Sequence, residues 1–158
     1  NLLRQCHLHD VHTAIETCGC TSMDSFNSVI NHVDEVFFDL KHMDPEKHKN
    51  LTGVTNRQIL DNARGLPKPG KKITYRIPLI PGCNDDEDNI KATGEFVAEM
   101  ANDNIWIEIL PFHRLGEMKF GWLDKEYELQ NTKEPPEEHV SKCKELLREA
   151  GCNVVERK

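Results

Sequence analysis

No stretch of this sequence approaches the ~20 consecutive apolar residues that a membrane-spanning helix requires, and no charged, apolar and small-residue succession of a secretory leader opens it. The chain is therefore expected to be cytoplasmic and to make no membrane contact. Clustered basic charge is missing too. The 20 Lys and Arg are outnumbered by 27 Asp and Glu, the net charge is −7, and the densest basic piece, Lys68 to Lys72, is broken by Pro69 and Gly70. Binding a phosphate backbone needs a basic face, so nucleic acid is excluded as a partner. Low-complexity tracts and internal repeats are absent as well.

Metal-binding spacings are equally hard to find. Of the six cysteines (Cys6, Cys18, Cys20, Cys83, Cys143, Cys152) only Cys18-Gly19-Cys20 is close, and C-x-C is neither a C-x₂-C zinc pattern nor a small secreted framework. They are expected to be separate, reduced thiols. His7, His9 and His12 alternate but straddle a helix-to-strand junction, so no metal role is given to them; His32, His42, His48 and His139 are expected at helix ends and loops, facing solvent. The chain opens at Asn1 with Leu2-Leu3 and no initiator Met, which is expected of a piece of something longer. Its 158 residues, 37% hydrophobic, suffice for one domain over 1–158.

What is present is a repeated grammar: an apolar run, a turn, then a helical pattern. The strands are expected at His12 to Thr17, Glu35 to Leu40, Lys72 to Leu79 and Ile105 to Leu110. The helices are expected at Ser25 to His32 capped by Asp24, after Asp44-Pro45, from Asn56 to Ala63, Glu87 to Met100 and Glu137 to Ala150. A long irregular stretch runs to Pro136, and a short strand is expected near Val154-Val155. Alternation of this kind predicts an α/β fold, a partial (β/α) barrel of about four parallel strands.

Side chains alternate along a strand. Val36, Phe38 and Leu40, then Ile73, Tyr75, Ile77 and Leu79, then Ile105, Ile107 and Ile109 form apolar faces for helices. The opposite faces carry charge near the strands' C-terminal ends, so Glu16, Asp39, Lys41, Arg76 and Glu108 are expected to converge at one mouth. Parallel β/α folds place ligands there.

Asp39-x-Lys41 alone is a weak signal. Extended to Asp44 it has the D-x-K-x-x-D form of orotidine-monophosphate-decarboxylase-like barrels, with Lys41 as proton donor. That reading competes poorly because Asp44-Pro45 is already explained as a helix start. A non-enzymatic alternative is a module docking a large partner through Phe112 to Leu129.

Five ordered pieces go further: Ala14-Ile15-Glu16-Thr17-Cys18-Gly19, Val36 to Lys41, His48 through Leu51-Thr52-Gly53 and Asn56, Arg76 to Asp85, and Ile109-Leu110-Pro111-Phe112-His113-Arg114-Leu115-Gly116 with Lys119 and Tyr127. Together they closely resemble, over nearly the whole chain, the C-terminal two-thirds of pyruvate formate-lyase-activating enzymes and related activators of glycyl-radical enzymes, within the radical S-adenosylmethionine superfamily.

The resemblance implies a [4Fe-4S] cluster that reduces S-adenosylmethionine, a glycyl-radical enzyme such as pyruvate formate-lyase as partner, and flavodoxin or ferredoxin as electron donor. It implies that Glu16 faces the methionine amino group, with a longer side chain than the Asp common among pyruvate formate-lyase activators. Lys41 then matches the lysine facing the methionine carboxylate. Asp39 lies near the sugar, with Glu16 and Thr17 about a monovalent cation. Arg76 belongs to the cofactor pocket, and His113 adjoins the nucleoside. The C-x₃-C-x₂-C cluster loop and the G-G-E strand end of the family are absent from this sequence. The chain is thus expected to lack the N-terminal cluster-binding strands and to be inactive alone.

Overall fold

The computed structural model describes residues 1–156. Strands Ala14–Thr17 (β1), Glu35–Asp39 (β2), Lys72–Leu79 (β3) and Ile105–Pro111 (β4) form one parallel sheet in the spatial order β1-β2-β3-β4. Helices Leu2–Leu8 (α1), Met23–Ile30 (α2), Pro45–Thr52 (α3), Arg57–Arg64 (α4), Glu87–Ala98 (α5), Glu117–Trp122 (α6) and Glu137–Glu149 (α7) complete it. The sheet is open and alternates with helices, as a partial barrel does.

The apolar strand faces build the core. Val36, Phe38, Ile73, Tyr75, Leu79 and Ile107 are fully buried, against Ile30, Ala63, Ile90 and Leu147 from four helices. Phe26, Phe38 and Tyr75 meet edge to face, with centroids 6.1 and 5.9 Å apart, a geometry that suits the ring quadrupoles. The Tyr75 hydroxyl satisfies itself by donating to Ala63 O at 2.8 Å, and burial pushes its pKa up. Gly94 lets α5 lie close against α7: a Cβ there would come 2.8 Å from Ala150 Cβ.

Local signals explain most element ends. Asp44 accepts from Glu46 N and Lys47 N with Pro45 in the first turn, and α3 stops at Gly53 with φ 84°. Three expectations need correction. The cap of α2 is Ser22, whose hydroxyl accepts from Ser25 N, and Asp24 sits inside the first turn instead. The stretch before Pro136 is not wholly irregular; it holds a 3₁₀ turn, Arg114–Gly116, and α6. Leu115, Met118 and Trp122 stand at helical spacing, but all three are exposed, so this stripe does not join the core. The last strand reduces to a single parallel bridge between Val154 and Ile107. At the other end of the sheet Leu3 and Ile15 pack against the core.

Candidate functional site

Register sets the site. Asp39 pairs with Arg76, and Arg76 with Glu108, at one level of the sheet, so three charged side chains leave neighbouring strands on the same face. The Arg76 guanidinium is the hub. Its Nε lies 3.0 Å and its Nη2 2.9 Å from Asp39 Oδ1, and its Nη1 lies 2.9 Å from Glu16 Oε1. Phe37 lies under it, the ring centroid 5.4 Å from Cζ. Lys41 Nζ reaches Asp39 Oδ2 at 3.4 Å. Glu16, Arg76, Asp39 and Lys41 thus form one chain of alternating charge across three strands. Burial works against the Arg76 charge, but the hydrogen bond it donates to Glu16 and the charge of Asp39 outweigh it, and its pKa is raised. Glu108 is buried beside this hub.

Buried amides hold the loops that follow the strands. Behind β1, Asn62 Nδ2 donates to Gly19 O at 2.7 Å and Thr21 O at 2.8 Å, while Gly19 N donates to Thr17 Oγ1. Gly19 has φ 65°, and a Cβ there would fall 2.5 Å from Phe38 Cε2. Only glycine suits both constraints. Behind β2, Asn56, Asn84 and Asn89 bond the backbone from Lys41 to Met43. Sequence reasoning singled out none of these asparagines as site residues. The available signal was position for Asn56, Asn84 and Asn89, which stand at or just beside a helix start, whereas Asn62 lies within α4.

The structure brings Glu16, Asp39, Lys41 and Arg76 together, but His113 stands apart. Its Nδ1 accepts from Leu115 N at 3.4 Å, and it lines a cavity of 330 Å³ with Glu108 and Lys144. Lys41 opens instead onto a 320 Å³ cleft walled by Leu51, Pro78, Ile80 and Leu129. The largest described cavity, 490 Å³, lies along the same sheet face toward the strands' N-terminal ends, between Phe37, Thr74, Trp106 and Glu108. None of these three takes in all five expected residues.

Asp44, the third residue of the decarboxylase-type reading, spends its carboxylate on the cap of α3, which holds its pKa below the usual carboxylate range through the backbone bond from Lys47. Two histidines expected at the surface are buried. His48 Nδ1 bonds Val54 O at 2.7 Å, and His42 Nδ1 accepts from Asp44 N at 3.0 Å; both pin turns, which a helix-end position did not reveal. His139 is half-buried, 3.0 Å from Asp85. The six cysteines are free, and among the described residues no group of three His, Cys, Asp or Glu could hold a metal ion. No helix among them is long and apolar enough to cross a membrane.

An open parallel α/β sheet with a charged row at the strands' C-terminal ends defines a ligand-binding α/β protein, and comparison with known proteins narrows the class. The chain superimposes on a crystallised domain of a pyruvate-formate lyase-activating enzyme from Bacteroides vulgatus with TM-score 0.79 and 27% identity, covering 99% of this chain and 88% of that one. A radical SAM methyltransferase from Sphaerobacter thermophilus shares the fold, with TM-score 0.69 and 14% identity over 94% of this chain and 42% of that one. The 4-hydroxyphenylacetate decarboxylase activating enzyme of Clostridioides difficile is 41% identical over 152 residues, 95% of this chain and 48% of its own. Pyruvate formate-lyase 1-activating enzyme of Escherichia coli K12 is 35% identical over 156 residues, 96% of this chain and 62% of its own. No protein-family model matches. The chain belongs with the glycyl-radical-enzyme activating enzymes. It spans about half to three-fifths of the length of the curated relatives it matches.

Proposed function

We propose that this chain is the S-adenosylmethionine-binding wall of an enzyme that reductively cleaves that cofactor and installs a glycyl radical on a partner enzyme. The observation that carries the reading is the Glu16–Arg76–Asp39–Lys41 row at the C-terminal ends of β1, β2 and β3. A zwitterionic amino-acid group carrying a sulfonium needs an acid for its ammonium and a base for its carboxylate. Glu16, with a side chain 70% exposed, and Lys41, 38% exposed, have solvent-facing ends that suit these two tasks. Arg76 is the buried hub that holds the two acids in place. Asp39 faces the sugar, with a monovalent cation beside Glu16 and Thr17, and His113 approaches from the end of β4.

The cluster that supplies the electron does not fit the described residues, which gather no metal-ligating group of three. We assign it to sequence outside this chain. The electron donor is a flavodoxin or ferredoxin, and the partner a glycyl-radical enzyme. A second feature bears on that partner: Leu115, Met118, Trp122 and Leu123 are exposed together on and beside α6, a surface suited to a protein contact.

The test uses the full-length protein with its cluster reconstituted anaerobically. Lys41→Ala and Glu16→Gln should each weaken S-adenosylmethionine binding without loss of the cluster. The 158-residue chain treated with iron and sulfide should hold no stoichiometric cluster and form no 5′-deoxyadenosine. Robust 5′-deoxyadenosine formation by the chain alone would overturn the assignment.

A further inference from the structure

Lys41 stands on backbone that has left the sheet. The β2–β3 register ends at Asp39–Arg76, and the last bond between the two strands runs from Leu40 N to Arg76 O at 2.8 Å. Beyond it the main-chain groups of residues 41 to 43 have no strand to pair with, and buried backbone groups need partners. Three asparagine side chains supply them. Asn84 Nδ2 donates to Lys41 O and to Pro78 O, both at 2.8 Å, while its Oδ1 accepts from Ile80 N at 2.8 Å. Asn89 Oδ1 accepts from Met43 N and its Nδ2 donates to Asn84 O, again both at 2.8 Å. Asn56 Nδ2 donates to His42 O at 3.0 Å and Met43 O at 2.7 Å.

All three amides are buried, 2% to 4% exposed. Asn56 occupies the N-cap position of α4, yet its side chain makes no cap bond there; it is turned toward the Lys41 segment. Asn84 and Asn89 each donate and accept at once, which asparagine does and an ionised aspartate does not, while Asn56 donates twice. Asn84 also ties the tip of β2 to the tip of β3, just beyond the Arg76–Asp39 pair. The main chain under Lys41 is therefore fixed at two successive levels.

We infer that Asn84 is a positioning residue for Lys41, with Asn89 and Asn56 completing the clamp. The inference rests on the site proposed above. A lysine has four rotatable side-chain bonds, so its ammonium meets a carboxylate productively only if its backbone origin is fixed. The three asparagines supply that origin and touch no ligand themselves.

The experiment is a double-mutant cycle on the full-length, cluster-loaded protein, reading the S-adenosylmethionine Kd by calorimetry and Tm in parallel. Asn84→Asp keeps the acceptor for Ile80 N and removes the two donated bonds. It should raise Kd by about tenfold in the native background and leave Kd unchanged in Lys41→Ala, while the fall in Tm is the same in both. Amide exchange should quicken at Met43 and its neighbours. If Asn84→Asp does not fold, Asn89→Ser, which leaves the Asn84 amide in place, should show the same pattern in smaller measure. An unchanged Kd in the clamp variants, or losses that simply add to that of Lys41→Ala, would show a clamp serving stability alone and overturn the inference. An unchanged Kd in Lys41→Ala itself would overturn the site reading and this inference with it.

Discussion

Arg76 bonds Glu16 across an intervening strand. The two lie 60 residues apart in sequence, on β3 and β1, and their contact of 2.9 Å passes over Phe37 of β2. A planar guanidinium can serve Asp39 and Glu16 together because its donors point in fixed, divergent directions.

Removing that hub should be costly. Arg76→Met would leave Asp39, mostly buried, without its principal partner, and we expect a loss of about 2–4 kcal/mol in unfolding free energy. That is less than a fully buried pair would give, because Glu16 is largely in water. Arg76→Lys should recover only part of the loss, since an ammonium cannot hold both acids in the same geometry. Denaturant unfolding checks this, and a full recovery by lysine would contradict the hub role.

Gly19→Ala should destabilise by about 2–4 kcal/mol, combining a left-handed backbone with a Cβ pressed into the Phe38 ring. Gly53→Ala provides the control. It shares a positive φ but meets nothing within 4 Å, so it should cost only about 1 kcal/mol. Equal losses at the two sites would remove the steric part of the explanation.

His42 should tilt stability with pH. Burial, with Lys47 nearby, lowers its pKa below 6.5, against the pull of Asp86 and Asp44. Between that lowered value and 6.5 the unfolded chain binds the proton more readily, so stability rises with pH across this window and falls on acidification. Denaturant midpoints compared at neutral pH and about pH 5.5 should show the slope, and His42→Gln should flatten it. An unchanged slope in the variant would assign it elsewhere.

Asp34 governs a more acidic limb. Its carboxylate accepts from Thr13 N at 2.7 Å and from Thr13 Oγ1 at 2.9 Å, and these bonds hold its pKa below 3.8. Its contribution is present above that value and is lost as pH falls through the lowered one. Asp34→Asn should therefore shift the acid-unfolding profile while leaving the neutral-pH slope from His42 intact.

The strands and their faces were legible in the sequence because burial on one side writes a period of two, and all of Lys72–Leu79 followed from it. The charged row was legible for the same reason: Glu16, Asp39 and Arg76 stood opposite apolar neighbours. Lys41 was readable as its extension. His113 was placed beside the nucleoside by the resemblance alone, because a strand pattern says nothing of where the chain turns after Pro111. The asparagine clamp was hidden for a different reason. A polar residue after a turn reads as a solvent-facing loop residue, and its burial depends on backbone groups far away in sequence. Asn84, for example, serves the carbonyl of Lys41, 43 residues distant.

In this sheet spatial order and sequence order coincide, so each strand and its helix are laid beside the unit made just before. No connection has to reach over an earlier strand to close the structure. A pure stack would pass order only from neighbour to neighbour, but the bond from Arg76 to Glu16 ties the first strand to the third. Loss of β1 would take one acid from the row, and loss of β3 would take the guanidinium that both acids share. The molecule is thus sequential in how its sheet is laid down, yet fastened across that sequence by a single side chain.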